Sequence, residues 1–351
     1  MTAEDVVLIG LAAATVLPAA LAWRLVLRWH RAAGTPPLTI RTMLAVLSTA
    51  TCIAGVVFGL ELYDRFVRDD TDAFAVTKTS QNWFDRHYRL NSWHLRDDVD
   101  YAPLKDPDRR RITFVGDSFT AGHGVKNVAD RFANRIRADE PGWDVQVLAI
   151  DGLDTGAELD YLRDAFARGY QTDDVVLVYC PNDIGDLLPR WRTIVDRLYA
   201  DFEQAGFLVH HSYALNRLYF QLIASRSPEL SGWYPDLAAG YAGAQWSEQA
   251  RRLQMLAKLV RMRKARLWAV TFPFPQTLGP SDPFAPAYAR LDELWRKLRV
   301  PHLDLRTALA GVDPAELVVN PDDAHPNERA HALAAAAIVE FLRQPPNTAR
   351  R

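Results

Sequence analysis

Cysteine is scarce in this 351-residue chain, which has only Cys52 and Cys180. Cys52 lies in an apolar run and Cys180 far downstream. No disulfide is expected between them, and cysteine usage leaves the redox compartment open. A dominant charge is also missing: the formal net charge is -2, with acids and bases mixed along the chain. There is no basic stripe, which argues against nucleic acid as a partner. No internal repeat recurs, which excludes solenoid and propeller architectures. No His/Cys/Asp/Glu grouping has metal-ligand spacing, so neither metal nor cofactor is expected.

Charge is also absent from two stretches, between Asp5 and Arg24 and between Arg41 and Glu61. Each is roughly 18 to 19 residues, near the ~20 that cross the hydrocarbon as a helix. Pro18 is expected to kink the first, which a neighbouring helix makes tolerable. A cleaved signal peptide is the alternative for the first run, but Glu4 and Asp5 stand where a basic n-region belongs. The second run also admits a buried core helix. The connector carries Arg24, Arg28, Arg31 and Arg41, whereas the N-terminus has no Lys or Arg. The positive-inside rule then puts the connector in the cytoplasm and both flanks outside. Residues 1–62 are therefore read as two membrane spans, and 63–109 as a polar, aromatic juxtamembrane connector or cap.

From residue 110 to about 345 short apolar runs alternate with amphipathic stretches. Ile112–Val115, Val145–Ile150, Val175–Tyr179 and Leu267–Thr271 read as buried strands, with a fifth near His302–Leu305. Helical patterns fall near Val128–Ala138, Ala157–Ala167, Glu248–Arg263, Tyr288–Leu298 and Asn327–Leu342. This alternation predicts an α/β fold, a mostly parallel sheet with helices on both faces. Segment 184–264 is too long for a plain loop and is expected to carry helices. Its aromatics, Trp233 and Tyr234 among them, fit local packing somewhat better than a lid or sugar-stacking platform.

Ligands in such folds bind beyond the carboxyl ends of the strands. After the first strand comes Gly116-Asp117-Ser118-Phe119-Thr120-Ala121-Gly122, and after the second Asp151-Gly152. After the third comes Cys180-Pro181-Asn182-Asp183. Near the C-terminus stands Asp322-Asp323-Ala324-His325-Pro326-Asn327. Alone, each has a plain reading as a helix cap or turn. Together they supply a hydroxyl nucleophile, oxyanion donors, a base and a carboxylate to orient it.

In this order the blocks resemble the SGNH (GDSL-type) hydrolases, over about Arg111 to Leu342. Asn91-Ser92-Trp93-His94-Leu95-Arg96-Asp97 is similar to an element found upstream in envelope-associated members. Cys180 stands where the family usually has Gly, and Val147 where the second block often begins with Asn. The resemblance implies a flavodoxin-like sheet and a triad of Ser118, His325 and Asp322. Asp323 is disfavoured as the orienter because the family spacing is three. It further implies an oxyanion hole of Ser118 and Gly152 N–H with the Asn182 amide, and no metal. His123, close to the block in sequence, is a candidate for lining the site. The expected activity is hydrolysis of acyl esters on an envelope glycan or lipid. One alternative is O-acyl transfer to an exported polysaccharide with a partner supplying the donor. The other is a non-catalytic anchored binding module.

Overall fold

The computed structural model describes residues 1–31, 36–225, 230 and 232–344. By packing it divides into two units. One holds residues 1–70, 75–82 and the helices from residue 198 to 225. The other holds Thr71–Phe74, Trp83–Arg197 and the chain from 230 onward.

In the first unit, α1 (Ala3–His30) and α2 (Leu38–Phe66) pack side by side. They have 28 and 29 residues, each about 42 Å long at 1.5 Å per residue, enough to cross a membrane. Helix α1 runs through Pro18 without a break. Ile9, Leu17, Trp23, Val46 and Val56 lie exposed on their flanks. At the end of α2 the Glu61 carboxylate is buried. It accepts from Ser212 Oγ at 2.6 Å and from the N–H groups of Tyr213 and Ala214 at 3.1 and 2.9 Å.

The second unit is built on five parallel strands. They are β1 (Arg110–Gly116), β2 (Trp143–Ala149), β3 (Asp174–Tyr179), β4 (Arg266–Thr271) and β5 (His302–Asp304), in the order β2-β1-β3-β4-β5. All five expected strands are present. Ile112, Phe114, Val115 and every residue of β3 are buried, as strands covered by helices on both faces must be. Each large apolar side chain removed from water here contributes about 1.5–3 kcal/mol. At the amino end of the sheet the buried Asp174 ties three strands. Arg110 Nε, Arg266 Nε and Trp268 Nε1 each approach its carboxylate to 2.7 Å.

Helix α3 (Lys78–His87) precedes the sheet, and the four-residue α4 (Ser118–Ala121) follows β1. The helix expected over Val128–Ala138 is interrupted. A 3-10 turn at Val128–Asp130 gives way to α5 (Phe132–Asp139). At the break Arg131 is extended (φ -64°, ψ 140°). Its buried guanidinium donates to Asp97, the Arg96 carbonyl and Asn134 at 2.9, 2.8 and 2.7 Å. Helix α6 (Thr155–Ala167) covers the sheet. Segment 184–264 carries α7 (Pro189–Gln204), α8 (Phe207–His211), α9 (Tyr213–Tyr219), α10 (Trp233–Ala242) and α11 (Gln245–Met262). Within the sheet unit its aromatics pack locally: Tyr241 reaches the Tyr179 hydroxyl at 2.5 Å, and Tyr234 stacks edge-on to Phe274. Helices α12 (Ala285–Leu298), α13 (Arg306–Leu309) and α14 (Glu328–Arg343) complete it. The stretch before α14, expected to be a loop, forms an antiparallel ribbon of β6 (Val318–Asn320) and β7 (Asp323–Pro326).

A sheet of order 2-1-3-4-5 reverses direction between β1 and β3, where the following loops diverge and leave a crevice. The chain turns there at Gly116. A Cβ at that residue would lie 2.1 Å from Thr120 Oγ1 and 2.9 Å from the Val178 carbonyl oxygen. Gly116→Ala is expected to destabilise the protein by about 1–3 kcal/mol through overpacking. A fall in melting temperature of the full chain in detergent checks this, and an unchanged melting temperature contradicts it.

Candidate active site

At the carboxyl end of β1, Asp117 caps α4, its Oδ1 accepting the Phe119 N–H at 2.9 Å. Ser118 is thereby the first residue of a helical turn. Gly122 closes that turn in the left-handed region (φ 79°), its N–H on the Ser118 carbonyl at 2.8 Å. The turn is clamped from the Asn91–Asp97 element. Buried Arg96 donates to the carbonyls of Ala121, Gly122 and Val125. Asp97 in turn receives Arg131 at 2.9 Å and Arg137 at 2.7 Å. Burial opposes ionisation of Asp97, but the two guanidinium groups hold its carboxyl well below the usual range.

His325 Nε2 lies 2.9 Å from Ser118 Oγ, so the expected hydroxyl–imidazole pair is in place. The expected carboxylate is not. The group at His325 Nδ1 is Asp323, with Oδ1 at 2.5 Å, rather than Asp322. The reason is local geometry. Asp323 and His325 both belong to β7, and residues two apart on a strand face the same side. Asp322 precedes the strand in the turn, its N–H on Asn320 Oδ1 at 2.8 Å and its carbonyl accepting the Ala73 N–H at 3.0 Å.

Asp323 is fully buried. Its Oδ1 also accepts the His325 N–H at 3.0 Å, and its Oδ2 accepts the Thr71 hydroxyl. Burial favours the protonated acid, but His325, His123 and Thr71 together hold the carboxyl far below its ordinary value. Thr71 is not singled out by the sequence, and Asp323 is weighed there only as the disfavoured orienter. Alternation across Asp323-Ala324-His325, read as a strand, was the signal available.

The three expected oxyanion residues sit on the three loops around Ser118. Asn182 lies on the 3-10 turn Pro181–Leu187 after β3. Its Nδ2 donates to Asp117 Oδ2 at 2.9 Å, which fastens this loop to the Ser118 turn, while its Oδ1 is buried without a partner. Gly152 follows β2 with φ 80° and open space where a Cβ would stand. Its neighbour Asp151 bonds His123 Nδ1 at 2.8 Å. The His123 and His325 rings lie 4.4 Å apart at 36°. His123 therefore lies beside the Ser118–His325 pair.

His123, Asp323 and His325 bring ligand-type atoms within 4.8 Å of one another. Asp323 Oδ1 and His325 Nδ1, at 2.5 Å, are closer than two ligands on one zinc, which stand about 3 Å apart. The short contact is that of an imidazole N–H donating to a carboxylate. The arrangement can take a proton from Ser118 onto His325, hold the resulting imidazolium against Asp323, and offer N–H donors to an oxygen that gains charge.

Asp323→Asn is expected to lower kcat by about 10⁴-fold, since the wrong imidazole tautomer is then favoured. Asp322→Asn should leave kcat within a few-fold of the parent. Steady-state hydrolysis of a chromogenic ester by the two variants distinguishes these carboxylates.

A second expectation concerns Asp117, whose carboxyl burial pushes up to about 6 against hydrogen bonds from Asn182 and Phe119. The folded protein holds this proton more tightly than the unfolded chain. Its stabilising contribution is therefore complete below the ordinary value of 3.8 and is lost as pH rises to about 6. Asp117→Asn should thus melt no lower than the parent at pH ~8, and its advantage should vanish near pH ~4. With an amide at position 117, Asn182 turns its unpartnered carbonyl toward it and withdraws a donor, at a cost of about 10²-fold in kcat. Melting curves at the two pH values and kcat of the same variant check both parts.

The chain matches the model of the GDSL-like lipase/acylhydrolase family over residues 114–333, more than half its length. No curated protein sequence matches it. Among solved structures it is similar to TesA (15% identity, 67% of this chain and 98% of that chain, TM-score 0.43). It is also similar to the psychrotrophic esterase EstA from Pseudoalteromonas sp. (15% identity, 67% and 100% covered, TM-score 0.40). A third similarity is to the extracellular lipase of Streptomyces rimosus (15% identity, 66% and 98% covered, TM-score 0.42). These likenesses are distant, and the family model carries the assignment: the chain belongs to the GDSL-like lipase/acylhydrolase family.

Proposed function

We propose that this acylhydrolase is a membrane-anchored serine esterase. It removes acyl groups, acetyl among them, from an envelope glycan or lipid on the outer face of the membrane. The observation that carries the catalytic part is the line of contacts from Ser118 Oγ to His325 Nε2 at 2.9 Å and from His325 Nδ1 to Asp323 at 2.5 Å. The anchoring part rests on α1 and α2, long and apolar enough to span and almost unburied along their most apolar stretches. The orientation rests on arginines 24, 28, 31 and 41 between or at the ends of those helices.

In this reading Ser118 Oγ attacks the ester carbonyl carbon while His325 Nε2 takes its proton. The carbonyl oxygen becomes an oxyanion that accepts from the N–H groups of Ser118 and Gly152 and from the Asn182 amide. Collapse breaks the ester C–O bond, and His325 returns the proton to the departing alcohol. Water then attacks the acyl-enzyme, giving its proton to His325. The second tetrahedral species releases the free acid and restores Ser118. Asp323 stays ionised throughout and keeps the imidazole in the tautomer that leaves Nε2 free to accept.

Ser118→Ala is expected to abolish turnover of a short-chain ester and labelling by a fluorophosphonate probe, with folding intact. Persistent labelling of that variant refutes the nucleophile. The wild-type full chain, offered an acetylated glycan, should release free acetate. Acylation of a glycan acceptor without release of acid would instead identify a transferase.

A further inference from the structure

His123 is buried, 3% exposed, beside the reacting pair. Its Nδ1 is 2.8 Å from Asp151 Oδ2, and Asp151 Oδ1 in turn accepts the Tyr88 hydroxyl at 3.1 Å. Its Nε2 lies 3.5 Å from Asp323 Oδ2, within ion-pair range but with no hydrogen bond formed. The ring is held between His325, 4.4 Å away, and Trp83 and Phe84, at 5.3 and 5.6 Å. A neutral imidazole could satisfy only one of two flanking carboxylates, whereas an imidazolium donates toward both.

We propose that His123 is a positioning residue of the esterase reaction: pinned as a cation between Asp151 and Asp323, it fixes the Asp323 carboxylate and tempers its pull on the His325 proton. This rests on the reading of Ser118 and His325 as nucleophile and base. The groups facing His123 are Asp151, Asp323 and Asp72, with His325 alongside, Tyr88 behind Asp151, and Arg96 over the Trp83 ring at 4.8 Å. Burial works against charge on His123. The hydrogen bond to Asp151 and the negative charges of Asp151, Asp323 and Asp72 outweigh it and push the imidazole up to about 9. Below that pH a cation faces both Asp323 and His325. Both contacts oppose a second positive charge on the neighbouring ring.

The test is the pH profile of kcat/KM for ester hydrolysis by the full chain. His123→Gln keeps an amide donor but removes the charge. Its acidic limb should move to higher pH by about one unit, lowering kcat/KM on that limb about tenfold, while the plateau changes much less. Asp151→Asn, which removes the nearest negative charge from His123, should move the limb the same way. NMR of the histidine rings should find one imidazole still protonated at pH ~8 in the parent and missing from His123→Gln. A limb that stays in place while the plateau falls, in whichever of the two variants folds, overturns the proposal. So does a neutral His123 at pH ~7. Ser118→Ala serves as the control: turnover in that variant undermines the esterase reading itself, whereas an inactive Ser118→Ala with unmoved limbs undermines only the role of His123.

Discussion

The site depends on keeping one buried carboxylate ionised. Asp323 has no access to water, and an isolated charge there would cost several kcal/mol or simply take up a proton. It remains an anion because the Thr71 hydroxyl and the backbone and imidazole of His325 donate to it, with the His123 ring within ion-pair range. None of these is a sequence neighbour except His325. The fold must therefore be complete before the acid is stable, and the His325 ring is oriented toward Ser118 only when it is.

The same logic runs in the opposite sense a few ångströms away. Asp117 is also fully buried, but its donors are one amide and one backbone N–H. That is too little to compensate burial, so its carboxyl rises where that of Asp323 falls. The outcome is a carboxylate held at some expense to stability, with its second oxygen aimed at Asn182. A group whose charge weakens the fold and whose contact steadies a donor is the signature of a site placing function above stability.

Much of this was legible in the chain. The β strands announced themselves as short apolar runs because both faces of a parallel sheet are covered. The placement of Ser118, Gly152 and Asn182 after β1, β2 and β3 was legible because such a sheet offers its loops at one end. Asp323 was misread because residue spacing was taken from the family pattern, while the local chain makes a strand in which every second residue shares a side. The break at Arg131 was hidden for another reason. Periodicity favours one helix over Val128–Ala138, and only the tertiary demand of Asp97 for a guanidinium pulls the backbone out of it. Thr71 carries no local signal at all, since its hydroxyl matters only through a partner 252 positions away.

The fastening of the nucleophile turn by Arg96 and Asp97 sets the smallest piece of this protein that can be handled by itself. A fragment trimmed to the family boundaries, 114–333, would begin after both residues and after Thr71. It would still carry the serine and the histidine, but with the turn unclamped and the acid short of a donor. A fragment that keeps these contacts has to start at or before Thr71, and it then brings along residues 75–82, which pack with the apolar helices. The two packing units are thus interleaved along the chain, and no single cut separates them cleanly.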